Sequence, residues 1–154
     1  SLAFNASWIK SNVHFPSDGI EHDRPMQGQS PYLINTGLFY QNDKIGFSAA
    51  VLYNRIGKRI VGIGRTADSQ GNTQNNTIPD IYEMPRNAVD ITLSQRLSKV
   101  FELKLSGRDL LAESIDFKQF PTFTTASGAV EHREQVTKSY NPGRSFFLTV
   151  VATF

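Results

Sequence analysis

The chain contains no cysteine, and the rest of its composition does not by itself indicate a functional class. Without cysteine there is no disulfide framework, no thiolate metal site and no cysteine nucleophile. The net charge of +2 is close to neutral and favours neither a nucleic acid nor an acidic partner. No apolar run approaches the roughly 18 residues of a transmembrane helix. The first residues already alternate like a strand, so we expect either that a signal peptide was removed or that the chain is part of a longer protein.

Catalytic groupings are also missing. The three histidines all fall in predicted loops, and no serine–histidine–aspartate set or pair of carboxylates has a defined spacing. His14, Glu21, His22 and Asp23 lie close together in the first long loop, but their spacing matches no known metal site. We therefore predict a solvated loop there, no metal, no cofactor and no enzymatic activity.

A period of two is the dominant pattern that is present, and it predicts β-strands. Six segments show it, each about 10 residues long, which is the length that crosses a bilayer when the strand is tilted. One face of every segment is apolar. Its residues are Leu2, Phe4, Ala6 and Trp8; Tyr32, Ile34, Thr36, Leu38 and Tyr40; Ile45, Phe47, Ala49, Val51 and Tyr53; Val89, Ile91, Leu93 and Leu97; Phe101, Leu103 and Leu105; and Phe146, Leu148, Val150, Ala152 and Phe154.

The connections between these segments alternate in length. Residues 41–44 and 98–99 predict tight turns, whereas the connections over about 12–30, 56–87 and 112–144 are long. Short periplasmic turns and long extracellular loops are typical of outer-membrane barrels. Within the last connection, 116–125 and 130–139 predict a hairpin, and its polar composition favours a position above the membrane.

The second face of the strands is charged, and on a barrel we expect it to face the lumen. Its predicted lumen-facing polar residues are Asp90, Arg96, Glu102, Lys104 and Arg108. Pairing across neighbouring strands is the ordinary use of such charges. Leu33, Phe39, Phe147 and Val151 fall on this face and do not suit a water-filled pore. Contact with a plug would explain them, and so would a soluble core with the faces reversed.

Aromatic residues gather at both ends of the apolar face, as in the two interfacial belts of a membrane barrel. Trp8, Tyr32, Tyr53 and Phe146 lie toward the long loops, and Phe4, Tyr40, Phe47 and Phe101 lie toward the short turns. The last strand ends on an aromatic residue after alternating apolar positions. We interpret it as the signal read by a barrel-assembly machinery, carried by Leu148, Val150, Ala152 and Phe154.

Several spaced motifs carry a family resemblance. The runs YNRIGKRI (53–60), PDIYEMPRNAVD (79–90), RDLL (108–111) and NPGR (141–144) resemble the end of TonB-dependent outer-membrane receptors, with the closest likeness to the Bacteroidetes type. The likeness extends over nearly all of the chain from residue 31 onward. It implies a 22-stranded barrel with a plugged lumen, of which residues 1–154 would be a C-terminal portion without the plug. The fold we predict is thus an all-β, antiparallel transmembrane β-barrel segment.

The resemblance also implies a function, active import of a nutrient ligand across a bacterial outer membrane. Its expected partners are the remaining strands and plug of the same receptor, the TonB energy-coupling complex, outer-membrane lipid and the barrel-assembly machinery, with a surface lipoprotein as a further candidate and no nucleic acid. Two alternatives remain. One is a small closed outer-membrane barrel for anchoring or adhesion, and the other is a soluble lipocalin-like binding module.

Overall fold

The computed structural model describes residues 1–15, 23–65, 78–125 and 127–153. All regular structure in these ranges is β-strand, and every strand pair is antiparallel, so the predicted all-β antiparallel fold is confirmed. The described ranges contain no helix that is long and apolar enough to cross a membrane.

The strands of the described ranges are numbered in chain order. They are β1 (Leu2–Trp8), β2 (Tyr32–Asn42), β3 (Phe47–Ile56), β4 (Arg59–Gly62), β5 (Ile81–Glu83), β6 (Arg86–Arg96), β7 (Phe101–Arg108), β8 (Ile115–Gln119), β9 (Thr122–Thr124), β10 (Val130–His132), β11 (Gln135–Tyr140) and β12 (Ser145–Ala152).

The six predicted strands form one sheet in the order β1-β2-β3-β6-β7-β12. Each of them pairs with the next of the six along the chain, as in a meander. The sheet is open, because β1 pairs only with β2 and β12 pairs only with β7. Closure into a barrel is therefore absent from the described part of the chain.

A second sheet continues the first. Its order, β4-β5-β8-β11, repeats the order β3-β6-β7-β12, and each of its strands is separated from its counterpart by a few residues. These interruptions, which we call the breaks, lie at 57–58, 84–85, 109–114 and 141–144. The connections over 56–87 and 112–144 are therefore not simple loops, because strands extend into both. We call this sheet the loop sheet and this end of the molecule the loop end.

The predicted hairpin over 116–139 is present outside the six-stranded sheet. It consists of β8 paired with β11 and, beyond them, β9 paired with β10. The opposite end of the six-stranded sheet, the turn end, carries the two tight turns. Between β2 and β3 the turn occupies residues 43–46, slightly later than predicted, and Gly46 there has a φ of 65°. Between β6 and β7 the Ser98 hydroxyl accepts hydrogen bonds from the amides of Val100 (3.2 Å) and Phe101 (3.1 Å).

The register places the apolar positions of all six strands on one face. Leu38 lies opposite Val51, and Val51 lies opposite Ile91 in the next pair. No second layer formed by the described residues covers this face. Trp8 is 83% exposed and Leu148 is 67% exposed, whereas among the described residues Ile60, in the loop sheet, is the only buried hydrophobic side chain. The six-stranded sheet thus has an uncovered apolar surface instead of a core.

Candidate functional site

The aromatic residues nearest the loop end run diagonally across the apolar face. Trp8 stacks on its cross-strand partner Tyr32, with ring centroids 6.0 Å apart. Phe146 of β12 lies five strand pairs away from Trp8. It is six residues closer to the turn end than the row that contains Trp8 and Tyr32, and Tyr53 of β3 lies between these two positions. Six residues span about 20 Å and five strand spacings about 24 Å, which corresponds to a slope of about 40°. Strands in transmembrane barrels tilt by about 35–45°, so a membrane plane across tilted strands would follow this diagonal.

The aromatic residues of the other predicted belt descend in the same direction. Phe4 lies in the cross-strand row of Tyr53, and Tyr40, Phe47 and Phe101 follow successively lower rows toward the turn end. Phe4 is thus level with a residue of the first belt, whereas the other three lie closer to the turn end. The interfacial role of both belts stays a prediction.

Three residues of the predicted assembly signal lie on the same apolar face of β12. Leu148 and Val150 are 67% and 62% exposed, and Ala152 is exposed as well. Phe154, the fourth, lies outside the described residues. The recognition of this strand by an assembly machinery stays a prediction.

The predicted lumen-facing charges all fall on the second face of the sheet. Arg96 lies opposite Glu102 across β6 and β7, and Lys104 Nζ is 3.6 Å from a carboxylate oxygen of Glu102. The Ser94 hydroxyl donates a hydrogen bond to the same carboxylate. Asp90 accepts a hydrogen bond from a backbone amide at the breaks (2.8 Å). Much of this charge is therefore satisfied within the sheet.

Two of the apolar residues on the charged face have local partners. The guanidinium of Arg108 lies 5.5 Å from the centroid of the Phe147 ring. The Phe39 ring lies over Gly37, where an added Cβ would come within 2.7 Å of it. These contacts within the sheet require neither a plug nor a soluble core.

A polar network joins the four motif runs at the breaks, where the six-stranded sheet meets the loop sheet. Arg86, from the PRNAVD run, donates to Asp109 of the RDLL run at 2.6 Å, and both side chains are largely buried. The backbone amide of Asp109 donates to the Asp90 carboxylate at 2.8 Å. Asp109 has a φ of 53°, an uncommon conformation that aspartate tolerates better than most residues.

A second part of the network surrounds Asn87. Its backbone amide and its side-chain amide donate to the Glu113 carboxylate at 2.7 and 2.9 Å. These two donors lower the pKa of Glu113. The side-chain oxygen of Asn87, Oδ1, accepts hydrogen bonds from the Tyr53 hydroxyl (2.7 Å) and from the Arg55 guanidinium (2.9 Å), both in the YNRIGKRI run. Residues more than 50 positions apart are thus tied together.

The NPGR run closes the network from the last break. The Asn141 side chain donates to the Ala112 carbonyl and the Arg144 guanidinium donates to the Leu110 carbonyl, both at 2.7 Å. Gly143 has a φ of 75° and donates its amide to the Asn141 side chain at 2.7 Å. Because these bonds satisfy backbone groups that have left the sheet ladder, the network stabilises the breaks. Its geometry indicates a structural role for the motifs.

A groove of about 430 Å³ opens at the loop end. Its walls are the parts of the first long connection at 9–12 and 25–31, together with residues 58–60 at the start of β4 and Tyr82 in the middle of β5. The backbone amide of Gly28 donates to the Ile60 carbonyl at 2.7 Å and holds this connection against the loop sheet. An ion pair between Arg24 and Asp80 (3.0 Å) is a second contact that holds the first long connection in place, and each of the two side chains is only 14% exposed.

The predicted solvated cluster in the first long connection contains one close pair. His14 Nδ1 lies 2.5 Å from a carboxylate oxygen of Asp23, and the Phe15 amide donates to the other oxygen at 3.0 Å. The Phe15 amide and the His14 side chain lower the pKa of Asp23. Glu21 and His22 lie outside the described residues. Within the described ranges no three metal-ligating side chains come together.

Comparison with known proteins adds no relative. No protein-family model, curated protein sequence or solved structure matches the chain.

Proposed function

We propose that the chain forms six consecutive strands in the wall of a bacterial outer-membrane β-barrel, as the C-terminal portion of a TonB-dependent receptor that imports a nutrient. The observation that carries the proposal is the uncovered apolar face of the six-stranded sheet, with aromatic residues along two descending lines. On a soluble monomer, an exposed apolar surface that extends across six strands would promote aggregation. In contact with lipid it is the favourable arrangement.

The length of β2, β3 and β6, which have 10 or 11 residues each as predicted, supports the same proposal, whereas β1, β7 and β12 are shorter, with seven or eight residues. The ten residues of β3 span about 33 Å, and a tilt of about 40° reduces their height to about 25 Å. That height equals the apolar band of an outer-membrane barrel, about 25 Å. The breaks and the loop sheet then lie beyond the hydrocarbon region, where their polar network can meet water.

The open edges support a partial barrel over a closed one. An unpaired strand edge in lipid leaves its N–H and C=O groups unsatisfied, so β1 and β12 each require a further strand. In the proposed receptor, the preceding strands of the same barrel supply both partners. The hairpin β8–β11 cannot close a small barrel from its position in the loop sheet. A lipocalin-like module needs an apolar interior, and the described residues offer only Ile60.

The absence of cysteine from these 154 residues makes a direct test practicable. Single cysteines are introduced at successive positions from Phe101 to Arg108 in the full-length protein, reconstituted in lipid and labelled with a nitroxide. We expect accessibility to oxygen dissolved in the lipid to peak at 101, 103 and 105, and accessibility to a water-soluble nickel reagent to peak at 102, 104 and 106. Uniform accessibility along β7 would contradict a lipid-facing sheet.

A further inference from the structure

The groove at the loop end contains an ammonium group that has no counter-ion among the described residues. Lys58, at the first break, lines the groove, and its Nζ lies 4.0 Å from the ring centroid of Tyr82 and 4.2 Å from that of Phe120. Burial lowers the pKa of Lys58, because part of its hydration is replaced by aromatic surface. No carboxylate of the described residues lies within ion-pairing distance of this ammonium.

The two arginines near Lys58 are each paired with a carboxylate, whereas Lys10, which also lines the groove, has no ion pair within the described ranges. Arg59, which also lines the groove, pairs with Glu83 at 2.8 Å, and Arg24 pairs with Asp80 at 3.0 Å. The local carboxylates are therefore already used by arginines. Two aromatic rings hold the ammonium of Lys58 in position by cation–π contacts. An ammonium held in this way can still donate a charge-assisted hydrogen bond to an anion.

The rest of the lining combines apolar surface with free amides. Ile9, Pro31 and Ile60 provide apolar walls, while the side chains of Asn12 and Gln29 make no hydrogen bond to another part of the described chain. Primary amides both donate and accept, and therefore suit hydroxyl groups. A volume of about 430 Å³ is within the range of small-molecule sites, about 300–1,000 Å³.

We propose that this groove binds a small organic carboxylate that also carries hydroxyl groups, with the Lys58 ammonium bonded to the carboxylate and Asn12 and Gln29 bonded to the hydroxyls. The inference rests on the proposed function for its biological meaning, since it assigns a chemical class to the ligand received at the loop end. The binding itself depends only on the geometry of the groove.

The test is a calorimetric titration of the full-length, detergent-solubilised protein with sodium glucuronate, with glucose as the uncharged counterpart. We expect saturable binding of glucuronate and none of glucose. Lys58→Met keeps the length of the side chain and removes its charge, so glucuronate should bind about tenfold or more weakly. Lys58→Arg retains the charge and should retain most of the affinity. Lys44→Met, in the tight turn at the opposite end, should bind like the wild type.

Three results would overturn the inference: no glucuronate binding by the wild type, equal binding of glucose, or unchanged binding by Lys58→Met. The first two need no variant, so the test stands even if Lys58→Met does not fold. Fractionation of the same protein tests the proposed function separately. Recovery in the outer membrane without glucuronate binding would refute only the ligand. Glucuronate binding by a protein that is absent from the outer membrane would refute only the membrane role.

Discussion

Replacing Leu105 with arginine tests whether the apolar face of the six-stranded sheet is the face that lies in lipid. Leu105 lies midway along β7 on the apolar face, between the two descending aromatic lines, and is 46% exposed. In the proposed membrane it would sit near the bilayer centre. Its cross-strand neighbours Leu93 and Leu148 offer an arginine side chain no polar partner.

The expected cost is large. An arginine that faces lipid at the midplane of a barrel costs about 2–4 kcal/mol, which changes the folding equilibrium by a factor of about 30 to 1,000. Thr92→Arg is the matched control, because Thr92 lies at similar depth on the charged face and Asp90 is two residues away on that face. A surface substitution of this kind should change stability by no more than about 0.5 kcal/mol.

The assay is reversible folding of the full-length protein into lipid vesicles, followed by denaturant titration, with the yield in the outer membrane of cells as a second readout. We expect Leu105→Arg to lower both values strongly and Thr92→Arg to leave both near wild type. Equal effects of the two substitutions would refute the assignment of the faces. A larger effect of Thr92→Arg would mean that the charged face, and not the apolar face, is the buried one.

The remaining predictions concern the breaks. Asp109→Ala should cost more than Asp109→Asn, by about 1 kcal/mol in denaturant titration, because asparagine tolerates a positive φ better than alanine. Asn87 lowers the pKa of Glu113, so the stability that this carboxylate contributes is present above its ordinary pKa of about 4.3 and is lost as pH falls through the lower folded value. Glu113→Gln should remove that part of the acid dependence. Gly57→Ala should cost about 1–3 kcal/mol, since its Cβ would lie 2.8 Å from the Tyr32 ring.

The sequence was sufficient for the six strands of the six-stranded sheet because each keeps a period of two over seven or more positions. The assignment of residues to the two faces follows from the same period, and for this reason Asp90 and Leu105 could be placed on opposite faces before any register was known. The continuation of four strands past the breaks was not predicted. Short strands such as β5, with three residues, carry too few positions for a period to show.

The polar network at the breaks could not be predicted from the sequence either. The motif runs were recognised, but Arg86 and Asp109, or Asn87 and Glu113, are more than 20 residues apart and meet only through the register of β6 and β7. Lys58 was missed for a similar reason, because the two rings around its ammonium come from different strands and segments. The RDLL and NPGR runs could have indicated the breaks, since glycine adopts positive φ readily and aspartate tolerates it better than most residues.

The uncovered face and the two open edges of the six-stranded sheet require different partners: the face needs an apolar environment, and the edges need hydrogen-bonding groups. A detergent micelle can coat the apolar face, but detergent tails cannot form hydrogen bonds with the free N–H and C=O groups of β1 and β12. If residues 1–154 are purified alone, detergent on the apolar face should keep them in solution. The free edges of β1 and β12 should still pair with other copies, and this association should increase with protein concentration. Dispersion in detergent and completion of the wall are thus distinct steps, and only a neighbouring strand can provide the second.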